Sequence, residues 1–164
     1  MTPPGQFPPA VRDARSAPFF DALGRGSLLL RRCLRHGHVS APEVMFCAAC
    51  GDPGLEWAPA RGRGHVVTWT AIHSRPDGSG NTEVSVVVGI VELDEGPWLR
   101  ARLLADDPAA VRSGDRVSLE IMKGAGEPIY AFRVTGVTGV TTVTEVAGGQ
   151  PGRVSLKAPL ADNS

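Results

Sequence analysis

All three cysteines of this 164-residue chain fall within one stretch, residues 32–57. Two residues separate Cys33 from His36, and two residues separate Cys47 from Cys50, so the stretch contains two short hooks. Each hook can turn back on itself and present two ligand atoms to one ion. Thiolate and imidazole ligands in this number and spacing are typical of tetrahedral Zn²⁺, so the sequence predicts a zinc ribbon.

A glycine follows each hook at once, Gly37 after the first and Gly51 after the second. Glycine readily adopts positive φ and lets the backbone close around an ion. With His36 as a ligand, both hooks have two residues between their ligands and a glycine directly after the second one. We therefore predict His36 as the fourth ligand in preference to His38, which lies beyond the glycine. Four protein ligands leave no open position for water or substrate, so the predicted zinc is structural.

Two other interpretations of the cysteines stay open. The three thiols could be reduced and without function, with two histidines nearby by chance. A disulfide between Cys47 and Cys50 is also compatible with the spacing, although it leaves Cys33 unexplained.

The zero net charge of the chain limits how it can bind anionic partners. Seventeen basic residues balance 17 acidic ones, so any anionic partner must meet a local patch rather than a global field. Residues 1–10 have neither a positive start nor an apolar segment, and no later run approaches the roughly 18 apolar residues of a membrane span. We therefore predict a cytoplasmic protein with no membrane contact.

Composition divides the chain into four parts. Residues 1–15 are rich in proline and are predicted to be a disordered leader. Residues 16–60 would hold a short helix and a rubredoxin-like zinc ribbon, and residues 61–136 a β barrel. Residues 137–164 are predicted to be a C-terminal extension, partly ordered.

Helical spacing marks the segment that begins at Ser16. Ser16 suits an N-cap, Pro18 falls in the first turn, and Phe19, Phe20 and Leu23 recur at helical intervals. An isolated helix of about two turns is marginal in water. Its two phenylalanines therefore need a surface to pack on, which by default is the protein's own ribbon and alternatively another subunit.

Short valine-rich segments separated by glycine follow residue 61. The five candidate strands are Gly64–His73, Glu83–Leu93, Pro97–Leu104, Arg116–Met122 and Ile129–Thr135. A sixth could lie around Val137–Val146. Five short antiparallel strands with a break after the third suit a closed OB-fold barrel, although a β-sandwich is also compatible. The predicted fold class is mainly β, with the helix and ribbon preceding this barrel.

The order of these segments resembles the DUF35 family of zinc-ribbon and OB-fold proteins associated with acyl-CoA. The matching segments are a Phe-rich helix, Gly-Ser-Leu-Leu-Leu-Arg-Arg-Cys entering the ribbon, Glu-Trp leaving it, Gly-Arg-Gly-His-Val-Val-Thr-Trp-Thr opening the barrel and Val-Gly-Ile-Val-Glu-Leu-Asp-Glu-Gly-Pro inside it. They cover residues 18–134. Two features depart from the family: His36 stands where a second cysteine is usual, and Phe19-Phe20 replaces a Phe-Trp pair.

The resemblance implies a non-catalytic accessory subunit of a thiolase-like enzyme, which could be a thiolase, an acyltransferase or a retro-aldolase. The implied partner is a thiolase-fold subunit, or a hotdog-fold hydratase, with an acyl-CoA thioester at the shared site. The barrel would dock on the catalytic subunit, while the ribbon and first helix would shape the acyl-CoA entrance.

Arginines are the candidate binding residues, since no catalytic residue is predicted. Arg61, Arg63 and Arg75 could bind the phosphates of coenzyme A through their guanidinium forks, or could be solvated or pair with carboxylates of a partner. Arg100 and Arg102 are predicted to contact the partner, together with the Phe19-Phe20 pair.

Two other functions remain as alternatives. A single-stranded nucleic-acid binder would also use a ribbon and an OB barrel, but zero net charge and 5% aromatic residues disfavour it. A stand-alone acyl-CoA-binding or acyl-CoA-processing protein would need a catalytic base for any turnover. The strand histidines His65 and His73 have no evident partner for that role.

Overall fold

A computed structural model describes residues 11–123 and 126–136. Most of the predicted leader, the proposed sixth strand and the C-terminal extension lie outside this part of the chain. Within it, no helix is long and apolar enough to cross a membrane.

The predicted N-terminal helix is confirmed as α1, Ala17–Gly24, with Ser16 at the N-cap position and proline in its first turn. The Ser16 side chain makes no cap bond to the helix. Instead, the Asp13 carboxylate accepts hydrogen bonds from the Ser16 amide and hydroxyl, and from the Arg15 amide. The turn before the helix is thus held by a carboxylate three residues upstream of the predicted cap.

Three short strands form the ribbon sheet. They are β1 (Leu29–Cys33), β2 (Val39–Ser40) and β3 (Leu55–Pro59). The central strand β1 pairs antiparallel with β2 on one side and with β3 on the other. This register places Arg31 directly opposite Trp57.

The five predicted barrel strands are confirmed within one or two residues at each end. They are β4 (Arg63–His73), β5 (Val84–Leu93), β6 (Trp98–Leu104), β7 (Arg116–Met122) and β8 (Ile129–Gly136). The order β4-β5-β6-β8-β7 closes on itself, with β6 and β8 as the parallel pair. The predicted barrel is therefore correct, and the β-sandwich alternative is wrong.

Buried and more exposed side chains alternate along β6, which shows how the sequence forms this barrel. Leu99, Ala101 and Leu103 are buried, whereas Arg100 is exposed and Arg102 half-buried. Apolar residues at every second position place one face of a strand in the core. A short 3₁₀ turn, Pro108–Ala110, makes the break between β6 and β7.

One hydrophobic cluster joins the helix, the ribbon and the barrel. Leu23 of α1 and the ribbon residues Leu28 and Leu30 belong to the same buried cluster as the barrel residues Val66 and Phe132. A ribbon of this size is too small to bury a core of its own. It therefore shares the core of the barrel.

Residues 11–15 differ from the predicted disordered leader. The Arg12 guanidinium binds Glu127 and Asp21, with nitrogen–oxygen distances of 2.6 and 2.9 Å. These contacts fasten the segment to both α1 and the turn before β8, which proline content alone did not indicate.

We expect Leu30→Ala to lower the free energy of unfolding of the whole chain by roughly 2–5 kcal/mol, because it leaves a cavity in the shared cluster. Leu30 is 1% exposed, whereas Leu34 is 66% exposed and serves as the matched control. Urea unfolding measures both variants. Equal stability losses in Leu30→Ala and Leu34→Ala would contradict a shared core.

Candidate metal centre and contact surfaces

Four side chains of the ribbon converge on one point. The ligand atoms of Cys33, His38, Cys47 and Cys50 all lie within 4.8 Å of one another. The sulfurs of Cys33 and Cys50 are 3.8 Å apart, and Cys47 Sγ lies 3.4 Å from His38 Nδ1. A tetrahedral ion with bonds of about 2.3 Å to sulfur and 2.0 Å to nitrogen separates its ligands by similar distances. The four residues can therefore hold one tetrahedral metal ion, and the donor set suits Zn²⁺.

The backbone of the first hook explains why His38 is in the cluster. The Cys33 amide donates to the His38 carbonyl, and the Gly37 amide donates to the Cys33 carbonyl, both at 2.8 Å. Gly37 has a φ of 71°, which glycine tolerates. Cys33 and His38 thus face each other across a tight hairpin, where opposed side chains project to the same face.

The predicted choice of His36 differs from this geometry and is corrected to His38. His36 lies in the turn itself and is exposed, with its ring 5.4 Å from that of His38. The prediction relied on matching the two hooks. The hairpin register, together with the longer reach of imidazole compared with a thiol, brings the later histidine to the cluster instead.

The second hook keeps the predicted arrangement. The Cys47 amide donates to the Asp52 carbonyl at 2.9 Å, and the Gly51 amide donates to the Cys47 carbonyl at 2.8 Å. This turn directs Cys50 Sγ toward Cys33. No disulfide joins the three cysteines in the structure, so the geometry favours a metal centre over the Cys47–Cys50 disulfide.

The electrostatics of the cluster favour a thiolate at Cys47. Desolvation opposes its ionisation, but backbone amides, that of Cys50 foremost, and the Cys50 and His38 side chains lower the pKa of the Cys47 thiol to about 6. For Cys50, a backbone amide favours the thiolate, yet desolvation and the neighbouring sulfurs raise its pKa. Thiolate is the form that binds metal. A cation at this point would stabilise both sulfurs as ligands.

The two phenylalanines of α1 occupy different environments. Phe19 is 9% exposed and packs edge-on against Phe20 and Tyr130, with Trp57 also in contact. It belongs to the core, as the default expectation of packing on the protein's own surface has it, and the partner contact through Phe19 stays a prediction. Phe20 is half-buried and lines a cavity between α1 and the ribbon.

Arg100 and Arg102 line a groove of about 570 Å³ across β4, β5 and β6. Its other walls are largely apolar and include Val88, Ile90 and the exposed Ile129. Within the described residues, neither arginine takes part in an ion pair. The groove therefore combines apolar surface with two available guanidinium groups.

Arg61, Arg63 and Arg75 do not form one site. Arg61 and Arg63 lie at the start of β4 beside Asp94, whose pKa is lowered first by its bonds to Arg116 and further by these two arginines. Arg75 follows the other end of β4, and a strand of this length spans about 30 Å. The strand therefore separates Arg75 from the other two arginines, and a phosphate contact through any one of the three stays a prediction.

Sequence analysis missed a second group of residues, built around Arg31. Arg31 stacks on Trp57, with its guanidinium carbon 3.7 Å from the ring centre. Tyr130, from the far end of the chain, lies beside the same cavity. A cross-strand Arg–Trp pair could have been predicted from the β1–β3 register, but the approach of Tyr130 could not.

Comparison with known proteins gives several relatives. The model of the family described as the ChsH2 C-terminal OB-fold domain matches residues 57–121. A DUF35 domain-containing scaffold protein from Methanothermobacter thermautotrophicus is 30% identical over 100 residues, which are 60% of this chain and 74% of that protein. Another, from Pyrococcus furiosus, is 30% identical over 88 residues, 54% of this chain and 64% of that protein, so the match spans just under two thirds of it.

A more distant relative is much longer than the matched region. It is described as a probable enoyl-CoA hydratase alpha subunit of Thermomonospora curvata, and is 28% identical over 109 residues, which are 66% of this chain and 34% of that protein.

Two solved structures share the fold. One is described as the Ltp2-ChsH2(DUF35) aldolase; the match has a TM-score of 0.64 and 25% identity, and covers 76% of this chain and 98% of that one. The other is a DUF35-family protein of unknown function from Sulfolobus solfataricus, with a TM-score of 0.55 and 16% identity, covering 74% of this chain and 86% of that one.

We expect His38→Ala to weaken zinc binding by more than about 100-fold, because it removes a direct ligand. Loss of a residue that only hydrogen-bonds to a ligand already costs roughly 10- to 100-fold in metal affinity. His36→Ala should leave the affinity unchanged. Competition with a chromogenic chelator measures both. Loss of zinc in His36→Ala alone would restore the first assignment.

Removal of the metal with EDTA at neutral pH should disorder the two hooks while β1 and the barrel strands persist, because β1 is also held by the shared core. Metal binding in small zinc modules contributes on the order of 10 kcal/mol to folding, and only the ribbon hooks depend on it here. NMR spectra before and after chelation measure this. Unchanged ribbon resonances in the metal-free chain would show that the hooks fold without an ion.

Proposed function

Because the chain belongs to the DUF35 family, we propose that it is a non-catalytic accessory subunit that binds a thiolase-like enzyme and supports its action on an acyl-CoA thioester. The partner, a thiolase, an acyltransferase or a retro-aldolase, supplies the catalytic nucleophile. The scaffold names of two relatives and the aldolase assembly of a structural neighbour support an enzyme partner. The hydratase subunit among the relatives supports a setting in acyl-CoA chemistry.

The groove across β4, β5 and β6 is the observation that carries the proposal. Its apolar wall, formed in part by Val88, Ile90 and Ile129, resembles the core of a protein interface, where charged residues are few. Arginine is one of the residue types that interfaces favour, and Arg100 and Arg102 lie beside this wall. The groove therefore fits an apolar segment of a partner flanked by carboxylates.

A structural zinc supports this surface indirectly. In the proposal, Cys33, His38, Cys47 and Cys50 hold the ion and fix the two hooks. The hooks continue into β1, whose apolar residues pack in the shared core. The metal would thereby keep the ribbon in a fixed position on the barrel, at the acyl-CoA entrance that the partner and this chain share.

Co-purification from the source organism tests the proposal. The tagged chain should recover a thiolase-fold enzyme, identified by mass spectrometry, with about one zinc per chain. The complex should turn over an acyl-CoA that the chain alone does not. Thioester turnover by the purified chain without any partner would contradict the proposal.

We expect the double substitution Arg100→Glu and Arg102→Glu to weaken binding to that enzyme by at least tenfold, since it places like charges against a partner's carboxylates. Arg75→Glu, which follows the end of β4 and does not line the groove, is the matched control and should bind normally. Surface plasmon resonance measures both. Binding of single-stranded oligo(dT) that is lost in the double variant would instead favour the nucleic-acid alternative.

A further inference from the structure

A second cavity, of about 380 Å³, lies between α1, the ribbon and β8. Cavities of this size commonly hold small molecules. The segment before α1 and residues 42–45 form its rim, and Arg15 of the first contacts the sulfur of Met45 in the second.

The base of the cavity holds a cation in a fixed position. The Arg31 guanidinium stacks on the Trp57 ring, and the strand register holds the two residues opposite each other. Burial lowers the pKa of Arg31, and the nearby Arg15 lowers it further. Arginine nevertheless stays charged at neutral pH. The cavity therefore contains a permanent positive charge with little freedom to move.

One donor of this guanidinium lacks an acceptor. Arg31 Nε is shielded from solvent, and no group in the described residues accepts a hydrogen bond from it. A buried donor without an acceptor is unfavourable. The two terminal nitrogens of Arg31 are not shielded in this way, and a guanidinium can bind both oxygens of a carboxylate. A ligand carboxylate in the cavity would pair with these terminal nitrogens.

The remaining walls of the cavity determine which chemical group the ligand carries besides its carboxylate. Phe20, Trp57 and Tyr130 give the cavity an aromatic lining. The Tyr130 hydroxyl donates to the Arg100 carbonyl at 3.0 Å. Burial, and then the charge of Glu43, raise the pKa of Tyr130 to about 12, so its ring stays neutral. An apolar body would pack on these rings.

The charges around the cavity favour a ligand with a single negative charge. Arg15, Arg31, Asp13 and Glu43 all line it. Asp13 is already held by hydrogen bonds from Ser16, which lower its pKa. Glu43 is exposed at the rim and would oppose a dianion such as a phosphate ester more than a monoanion.

We propose that this cavity binds a small carboxylic acid with an apolar body, its carboxylate paired with Arg31 and its body packed between Phe20, Trp57 and Tyr130. The site is distinct from the barrel groove, although Tyr130 lines both.

Titration of the zinc-loaded full-length chain with 4-phenylbutanoate tests this site. The acid should bind at least tenfold more tightly than 4-phenylbutanamide, which has the same shape without the charge, and more tightly than 4-phenylbutyl phosphate. The Nε–H resonance of Arg31 and the indole resonance of Trp57 should shift during the titration. Equal affinity for acid and amide, or tighter binding of the phosphate, would overturn the proposal.

Two arginine variants distinguish binding through Arg31 from a general effect of positive charge on the surface. Arg31→Lys keeps the charge but loses the planar edge, and should weaken binding at least fivefold. Arg32→Lys changes the adjacent residue, which is exposed and pairs with Glu56, and should bind as the unmodified chain does. Equal effects of the two variants would contradict the assignment.

Glu43→Gln provides a test that does not depend on the fold tolerating a change at Arg31. Glu43 is exposed, so its replacement should leave the fold intact. Removal of its charge should tighten 4-phenylbutanoate binding severalfold and leave 4-phenylbutanamide unchanged. An unchanged or weaker affinity for the acid would show that the carboxylate does not enter this cavity.

Discussion

Burial of the apolar face of β1 in the barrel is the interaction on which the rest of this structure depends. The ribbon has too few residues for a core, and Leu28 and Leu30 join the cluster that the barrel strands build. Once β1 is fixed there, its pairing with β2 and β3 positions the metal ligands at one end and Arg31 on Trp57 along the same strand. The helix α1 then covers the junction with Phe19 and Leu23. The candidate metal centre and the cavity beside α1 are thus consequences of one packing contact, whereas the groove is formed by barrel strands alone.

Local patterns were sufficient to predict the elements. The alternation of β6, the glycine-rich breaks and the spacing of Phe19, Phe20 and Leu23 gave the barrel strands and the helix close to their observed bounds. Two hooks of matched spacing gave three of the four residues of the metal cluster. These features depend on residues that are close in the sequence, or on the alternation of apolar and polar residues along one strand. Both can be read directly from the sequence.

The differences concern how side chains are placed relative to one another. His38 replaces His36 because a hairpin register, rather than the count of residues in the hook, decides which side chain faces Cys33. Phe19 lies in the core because Trp57 and Tyr130 approach it from other strands, which is set only when the sheets assemble. The separation of Arg61 from Arg75 follows from the strand between them, which the sequence did predict.

Tyr130 forms part of the wall of both cavities, and its hydroxyl holds the backbone of Arg100, one of the two arginines in the barrel groove. A molecule that displaces this ring from one side therefore alters the shape of the other side. Such coupling is reciprocal: whatever factor a small acid imposes on affinity for an enzyme, the enzyme imposes on affinity for the acid. If both proposed ligands bind, this one shared side chain would couple the small acid to the enzyme.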